Sequence, residues 1–141
     1  MTKKMRLQSL AATILAAALP VAALADDMQP GQYRTTVTSD IPGDKPNTDS
    51  HCVTQKDIDS GLQNIGAEKD PGCKTLDFKR GPGSVSYRVA CTGEGQPPAT
   101  QVAGTFTRDS FDMKIQMQIE PKGKPNTIRM IGKRTGACTG K

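Results

Sequence analysis

Tryptophan is absent from this chain, histidine occurs once, and two tyrosines and three phenylalanines are all it has of aromatic residues. Large rings fill cores efficiently, so a domain built from so few has a thin core for its length. General acid–base and nucleophilic catalysis most often recruit histidine, which leaves His51 as the single histidine candidate. Closely spaced cysteines are also missing. No two of the four are nearer than 18 residues in sequence, whereas structural zinc sites take their thiolates in C-x(2–4)-C pairs. One apolar run exists, over residues 7–24, and Pro20 interrupts it; a spanning helix needs about 20 unbroken apolar residues. No internal repeat and no domain linker is found.

What the run does fit is a secretory leader. Lys3, Lys4 and Arg6 precede it without an acid, and Ala23-Leu24-Ala25 follows with small residues ahead of Asp26-Asp27. Residues 1–25 are therefore expected to be a cleavable signal peptide cut between Ala25 and Asp26. No cysteine stands at that junction to be acylated. The mature chain, residues 26–141, is one domain of 116 residues, periplasmic or secreted, with no membrane span. Export changes the charge balance. The whole chain carries +5, but three basic residues leave with the leader, so the mature part holds 16 basic and 14 acidic side chains. A nucleic-acid footprint needs a clustered excess, and none is expected. Lys122, Lys124, Arg129, Lys133 and Arg134 gather near the C-terminus and read as a solvated face, with a weak patch for anionic surfaces as the alternative.

Export also reinterprets the cysteines. Cys52, Cys73, Cys91 and Cys138 are an even set in the mature part, which predicts two disulfides with three possible pairings.

Patterning along the mature chain is mainly β. Residues 32–38 alternate with Tyr33, Thr35 and Val37 on one face. Residues 40–50, rich in Pro, Gly, Asn and Asp, read as a loop or an irregular hairpin, and 51–54 as a short strand. Thr54 then resembles a helix N-cap, and Ile58, Leu62 and Ile65 recur with helical spacing, predicting a short helix ending near Gly66. Residues 73–80 and 84–91 flank Gly81-Pro82-Gly83 as a hairpin. A register symmetric about Pro82 sets Cys73 opposite Cys91 and so favours that bridge, which leaves Cys52 for Cys138. In that register Leu76 and Phe78 fall on the opposite parity from Cys73, which demands a bulge or a diagonal pairing. A second hairpin turns at Arg108-Asp109, pairing Phe106 with Phe111 and Val102 with Ile115. A third closes at residues 121–125 and returns Ile128 and Met130 to the core. The predicted fold is mainly β: an antiparallel barrel or strongly curved sheet of about seven short strands, one short α-helix and two disulfides.

Few residues suggest chemistry. Cys52, beside His51, is expected to be bonded rather than a free thiol. Asp77, Asp109, Asp112 and Glu120 are the acids from which a carboxylate pair would come, and each also suits a turn or surface. Asp26, Asp27 and Met28 read as a polar start rather than a metal site, so no metal and no cofactor are expected. Met113, Ile115, Met117 and Ile119 form the richest apolar stripe, expected as core packing or as the lining of an adaptable apolar pocket.

Gln29-Pro30-Gly31-Gln32-Tyr33, then Cys52-Val53-Thr54 before a helix, then Cys73 and Cys91 about a hairpin, then Gly132-Lys133-Arg134-Thr135-Gly136-Ala137-Cys138 follow one another in an order that resembles the bacterial exported family known as domain of unknown function 3617. The resemblance spans nearly the whole mature chain. It departs at Tyr33, where the family usually has Trp, and at Ile41-Pro42-Gly43, which replaces a Met-rich Gly-Met-Pro loop. It implies fold and location, not an activity. The expectation is a non-enzymatic module of the envelope, binding a small apolar ligand or an envelope protein. The alternatives are an inhibitor of an envelope-degrading enzyme such as lysozyme, and a hydrolase using His51 or an acid pair.

Overall fold

The structure, a computed structural model, describes residues 27–63, 72–95, 98–120 and 122–139. The expected leader and its cleavage site at Ala25 and Asp26 lie outside the described residues.

Period-two alternation of buried and exposed residues produces seven strands among the described residues. They are β1 (Gly31–Ser39), β2 (Asn47–Val53), β3 (Cys73–Gly81), β4 (Ser84–Cys91), β5 (Thr100–Thr107), β6 (Ser110–Met117) and β7 (Asn126–Gly136), with one helix, α1 (Gln55–Asp59), between β2 and β3. All pair antiparallel in a single sheet of order β2-β1-β7-β6-β5-β4-β3. The strands from β3 to β7 form a meander, and the β1–β2 hairpin adds to its β7 side. β2 and β3 remain edges, so the sheet is open: of the two forms expected, the curved sheet is realised and the barrel is not. The edges carry Asp49 on β2 and Lys74 and Lys79 on β3, charges that discourage further pairing.

One face of the sheet, the inner face, gathers the core. Tyr33, Val85, Tyr87, Val102, Phe106, Phe111 and Met113 project from it and are buried with Met28, Val53, Ile58 and Leu62. The predicted register of the central hairpin is present, Phe106 opposite Phe111 and Val102 opposite Ile115. Close approach is decisive at Gly132, opposite Phe111: a Cβ there would stand 2.1 Å from the ring, so the phenyl takes the space a side chain would fill. A single sheet must bury this face against something, and α1 with residues 27–30 does so. Arg80 holds both, bonding the Ile58 carbonyl with one guanidinium nitrogen and Asp27 Oδ1 with another at 2.7 Å. Its carbon sits 5.9 Å from the Phe106 centroid.

Two elements differ from the expectation. The segment expected as a loop or an irregular hairpin up to Ser50 is a hairpin, but its second strand starts at Asn47 rather than His51, because β1 supplies a ladder from Thr36↔Thr48 to Gly31↔Val53 that overrides the turn-forming composition. The helix is shorter than expected, ending at Asp59. Its start is as read, Thr54 and Asp57 forming a reciprocal capping box. Its end is a Schellman motif: Gly61 donates to the Ile58 carbonyl and Leu62 to that of Asp57, with left-handed φ of 70° at Gly61. Ile65 and Gly66 lie outside the described residues. The demanded bulge is present in β3. Leu76 pairs with Arg88 and Lys79 with Ser86, so Asp77 and Phe78 together face Tyr87. Asp77, at a left-handed φ of 52°, reverses the alternation. Phe78 thereby reaches the inner side, its ring centroid 6.0 Å from that of Tyr87, while Leu76 stays outside.

Both bridges are those the register favoured. Cys73 and Cys91 are cross-strand partners with Cα atoms 3.9 Å apart. Cys52–Cys138, with Cα atoms 5.3 Å apart, brings the tail after β7 to β2, two strands away across β1.

Candidate functional site: the two faces of the sheet

The sequence-predicted candidates divide between the faces. On the inner face Met113 is core, 3 % exposed, and the stripe opens along its length: Ile115 and Met117 are half-buried and Ile119, just past β6, is 52 % exposed. Val89, Ile115 and Met130 pack against the core from this more open end. The stripe is thus core at one end and accessible apolar surface at the other. Tyr33 is fully buried yet satisfied, its hydroxyl donating to the Gln29 carbonyl at 2.7 Å. Burial raises its pKa, with the Arg134 charge opposing the rise. Burial also pushes the Tyr87 hydroxyl up to about 12.

No catalytic grouping forms around the named candidates. His51 stands opposite Tyr33 on edge strand β2, its Nε2 3.7 Å from Asp49 Oδ2, and the neighbouring Cys52 sulfur is committed to Cys138. Asp77 and Asp112 sit on β3 and β6, three strand spacings or about 14 Å apart. Glycoside hydrolysis uses carboxyls about 5–9.5 Å apart. Each of these two is instead engaged by an arginine. Arg88 Nε donates to Asp77 at 2.7 Å, and Arg129 forks onto Asp112 at 2.9 and 2.5 Å. That hydrogen-bonded fork holds the Asp112 carboxyl below its ordinary pKa. Asp109 lies in the β5–β6 turn, where its backbone carbonyl accepts from the Arg134 amide. Among the described residues no three His, Cys, Asp or Glu side chains gather to hold a metal.

The outer face carries what the sequence reading did not assemble. Its exposed positions include Arg34 on β1, Lys79 on β3, Arg88 on β4, Lys114 on β6, and Arg129 and Lys133 on β7. Against these six cations stand Asp77 and Asp112, both already paired with Arg88 and Arg129. Arg34, Lys79, Lys114 and Lys133 have no ion pair among the described residues. Like charges even meet across the ladder, Arg34 opposite Lys133 and Lys114 opposite Arg129, an arrangement that weakens a sheet. Small side chains separate the cations: Lys79, Ser86, Ala103 and Lys114 form one cross-strand row. The low relief leaves two shallow grooves. One of about 300 Å³ is lined by Lys79, Ser86, Arg88, Gln101, Lys114 and Gln116 among others. The second, about 460 Å³, shares Ala103 and Lys114 with it and runs on to Asp112 and Arg129. The five C-terminal basic residues expected as one solvated face are divided by the fold. Arg129 and Lys133 project outward, Lys122 and Lys124 lie in the β6–β7 connection, and Arg134 Nε donates to the Pro30 carbonyl.

The fold and these faces define a disulfide-tied, open antiparallel sheet, with a core on one side and a cationic surface on the other. A family model described as protein of unknown function (DUF3617) matches residues 28–138, and the chain belongs to that family. No curated protein and no solved structure matches the chain.

Proposed function

We propose that this chain is a non-enzymatic interaction module of the bacterial envelope that meets its partner through the outer face of the sheet. The observation that carries this reading is the gathering of at least six cations on that face around two shallow grooves, at least four of them without an acid among the described residues. The two disulfides support an oxidising compartment, in keeping with the leader expected over residues 1–25. No helix among the described residues is long and apolar enough to cross a membrane. The test is retention of the purified protein on washed envelope fractions at low ionic strength. The expected result is retention that salt reverses and that the double variant Lys79→Glu/Lys114→Glu loses while staying folded. Absence of retention at low salt overturns the reading.

A second reading, a small apolar ligand, draws on the half-buried Ile115 and Met117 and on exposed Ile119. It expects an apolar molecule to accompany the protein in native mass spectrometry, and to be lost in Met117→Glu. Inhibition of lysozyme on adding the protein in stoichiometric excess would redirect the partner to an enzyme of the envelope.

A further inference from the structure

Resting on that reading, we propose that the partner of the outer face is the phosphate layer of an anionic phospholipid membrane, on which the protein docks peripherally. Charge complementarity is the first argument. The unpaired cations Lys79, Lys114, Lys133 and Arg34 span β3 to β1, five strand spacings or about 24 Å. They occupy an area rather than a line, which suits a surface of phosphates. Two exposed apolar side chains are interspersed with them. Ile131, 43 % exposed, stands between Arg129 and Lys133 on β7, and Leu76, 38 % exposed, stands opposite Arg88. Cations for the phosphates with scattered aliphatic contacts for the acyl boundary is the composition of an interfacial surface.

Groove size favours headgroups. The groove of about 300 Å³ offers Lys79 and Lys114 as free charged donors, with Ser86, Gln101 and Gln116 beside them, while Arg88 on the same wall is held by Asp77. That is room for one phosphate-bearing headgroup. Single-stranded nucleic acid fits less well, because stacking platforms are aromatic. Tyr33, Tyr87, Phe106 and Phe111 are buried in the inner-face core, and Phe78 packs on that side against Gly61. Of the acids, Asp77 and Asp112 stand on this face, each held by an arginine, and six others are placed elsewhere. Asp40, Asp44 and Asp49 lie in and beside the β1–β2 turn, Asp57 and Asp59 on α1, and Asp27 pairs with Arg80 on the inner side. A membrane approached by the outer face therefore meets little repulsion. The like-charge ladder pair Arg34–Lys133 is also relieved only when an anion arrives.

The test is co-sedimentation of the purified protein with vesicles of phosphatidylcholine mixed with phosphatidylglycerol, against pure phosphatidylcholine vesicles. Binding to the mixed vesicles alone is expected. Each surface cation removed is expected to weaken it about fivefold, so Lys79→Ala/Lys114→Ala loses about 25-fold. Lys45→Ala/Lys56→Ala, which removes the same charge from the β1–β2 turn and α1, is expected to change binding less than about twofold. Equal losses in the two double variants, or no dependence on phosphatidylglycerol, overturn the proposal. Release from the vesicles by inorganic phosphate beyond that caused by matched ionic strength would assign the groove to the free anion instead. Retention on envelope fractions that disappears after protease treatment of the envelope would assign the face to an acidic protein. Either result removes the lipid while leaving the interaction module intact, whereas failure of envelope retention removes both.

Discussion

The two faces of this sheet are built by opposite rules from the same strands. On the inner face every second residue is chosen for fit: Phe111 lies on Gly132, Tyr33 lies 5.7 Å from Phe111 between ring centroids, and Arg80 fastens α1 and the N-terminal segment over them. On the outer face the alternate residues are mostly small, polar or cationic, with Leu76 and Ile131 exposed among them. Arg34 and Lys133 are placed opposite each other at a cost to the sheet. One face holds the fold and the other is left free of structural duty, so substitutions should separate the two cleanly.

The largest test removes the ties that hold the single core in place. Loss of Cys52–Cys138 opens a loop of 86 residues and loss of Cys73–Cys91 one of 18. Chain-entropy estimates are about 4.6 and about 3.2 kcal/mol respectively. Denaturant unfolding of the Cys52→Ala/Cys138→Ala and Cys73→Ala/Cys91→Ala variants should therefore show the longer bridge to matter more. The reverse order would mean that the β3–β4 edge, not the β2–β7 closure, limits stability.

Next in size is Phe111→Ala, expected to lower stability by about 3–5 kcal/mol, since a fully buried ring over bare backbone leaves a cavity that Gly132 cannot fill. Gly132→Ala, which forces a methyl into the same ring, is expected to cost about 1–3 kcal/mol. The outer-face counterpart Lys114→Ala should stay within about 0.5 kcal/mol. Comparable losses for Phe111→Ala and Lys114→Ala would erase the distinction between the faces.

How much of this was legible in the sequence depends on what enforces each feature. The β5–β6 hairpin was, because Phe106 and Phe111 flank a two-residue turn and strict alternation leaves one register that buries both. The Cys73–Cys91 pairing followed from symmetry about the Pro-Gly turn, and the parity conflict at Phe78 correctly signalled a bulge. Its position at Asp77 was not legible, since a left-handed aspartate carries no glycine signature. The early start of β2 was hidden for another reason: Asn47-Thr48-Asp49-Ser50 reads locally as turn, and only the ladder from β1 makes it strand. The cationic face was missed because its members are scattered from Arg34 to Lys133. They converge only once the register is known. The signal was present as the polar half of each alternation, set aside in favour of the visible C-terminal run of basic residues.

Titration separates the faces in another way. Tyr87, with its pKa pushed up to about 12 by burial, favours the folded state while neutral. That contribution is complete below pH 10, the ordinary tyrosine value, and is lost as pH rises from there towards 12. Alkaline unfolding in this window should be delayed in Tyr87→Phe, with loss of the late phase of tyrosine ionisation in ultraviolet difference spectra. An unchanged alkaline midpoint would show the hydroxyl, 3.4 Å from the Gly61 carbonyl, to be solvated in the fold.

A smaller effect, and one of opposite sign, is expected at Thr35. Its hydroxyl is buried at 2 % exposure on the inner face and has no hydrogen-bond partner among the described residues. An unsatisfied buried hydroxyl costs about 1–3 kcal/mol of desolvation. Thr35→Val keeps the β-branched shape and removes the orphan, so it should raise the unfolding midpoint by an amount equivalent to about 1 kcal/mol.

The smallest effect belongs to the outer face, at the Asp112–Arg129 fork. Arg129 lowers the Asp112 pKa chiefly through its hydrogen bonds. The pair therefore helps the fold at neutral pH, and that help fades only as acid drives the pH below the ordinary carboxylate value and through the lowered one. Both side chains are exposed enough for water to screen them, and an exposed pair contributes little. Asp112→Asn should accordingly move the thermal midpoint at neutral pH less than Thr35→Val does, and flatten the acid limb slightly. Its larger consequence should be for binding. Freeing Arg129 adds a further unpaired cation beside Lys114, so vesicle binding should strengthen while stability hardly moves. A variant in which stability fell and binding did not rise would show the fork to be structural, and the division of labour between the faces to end at β6.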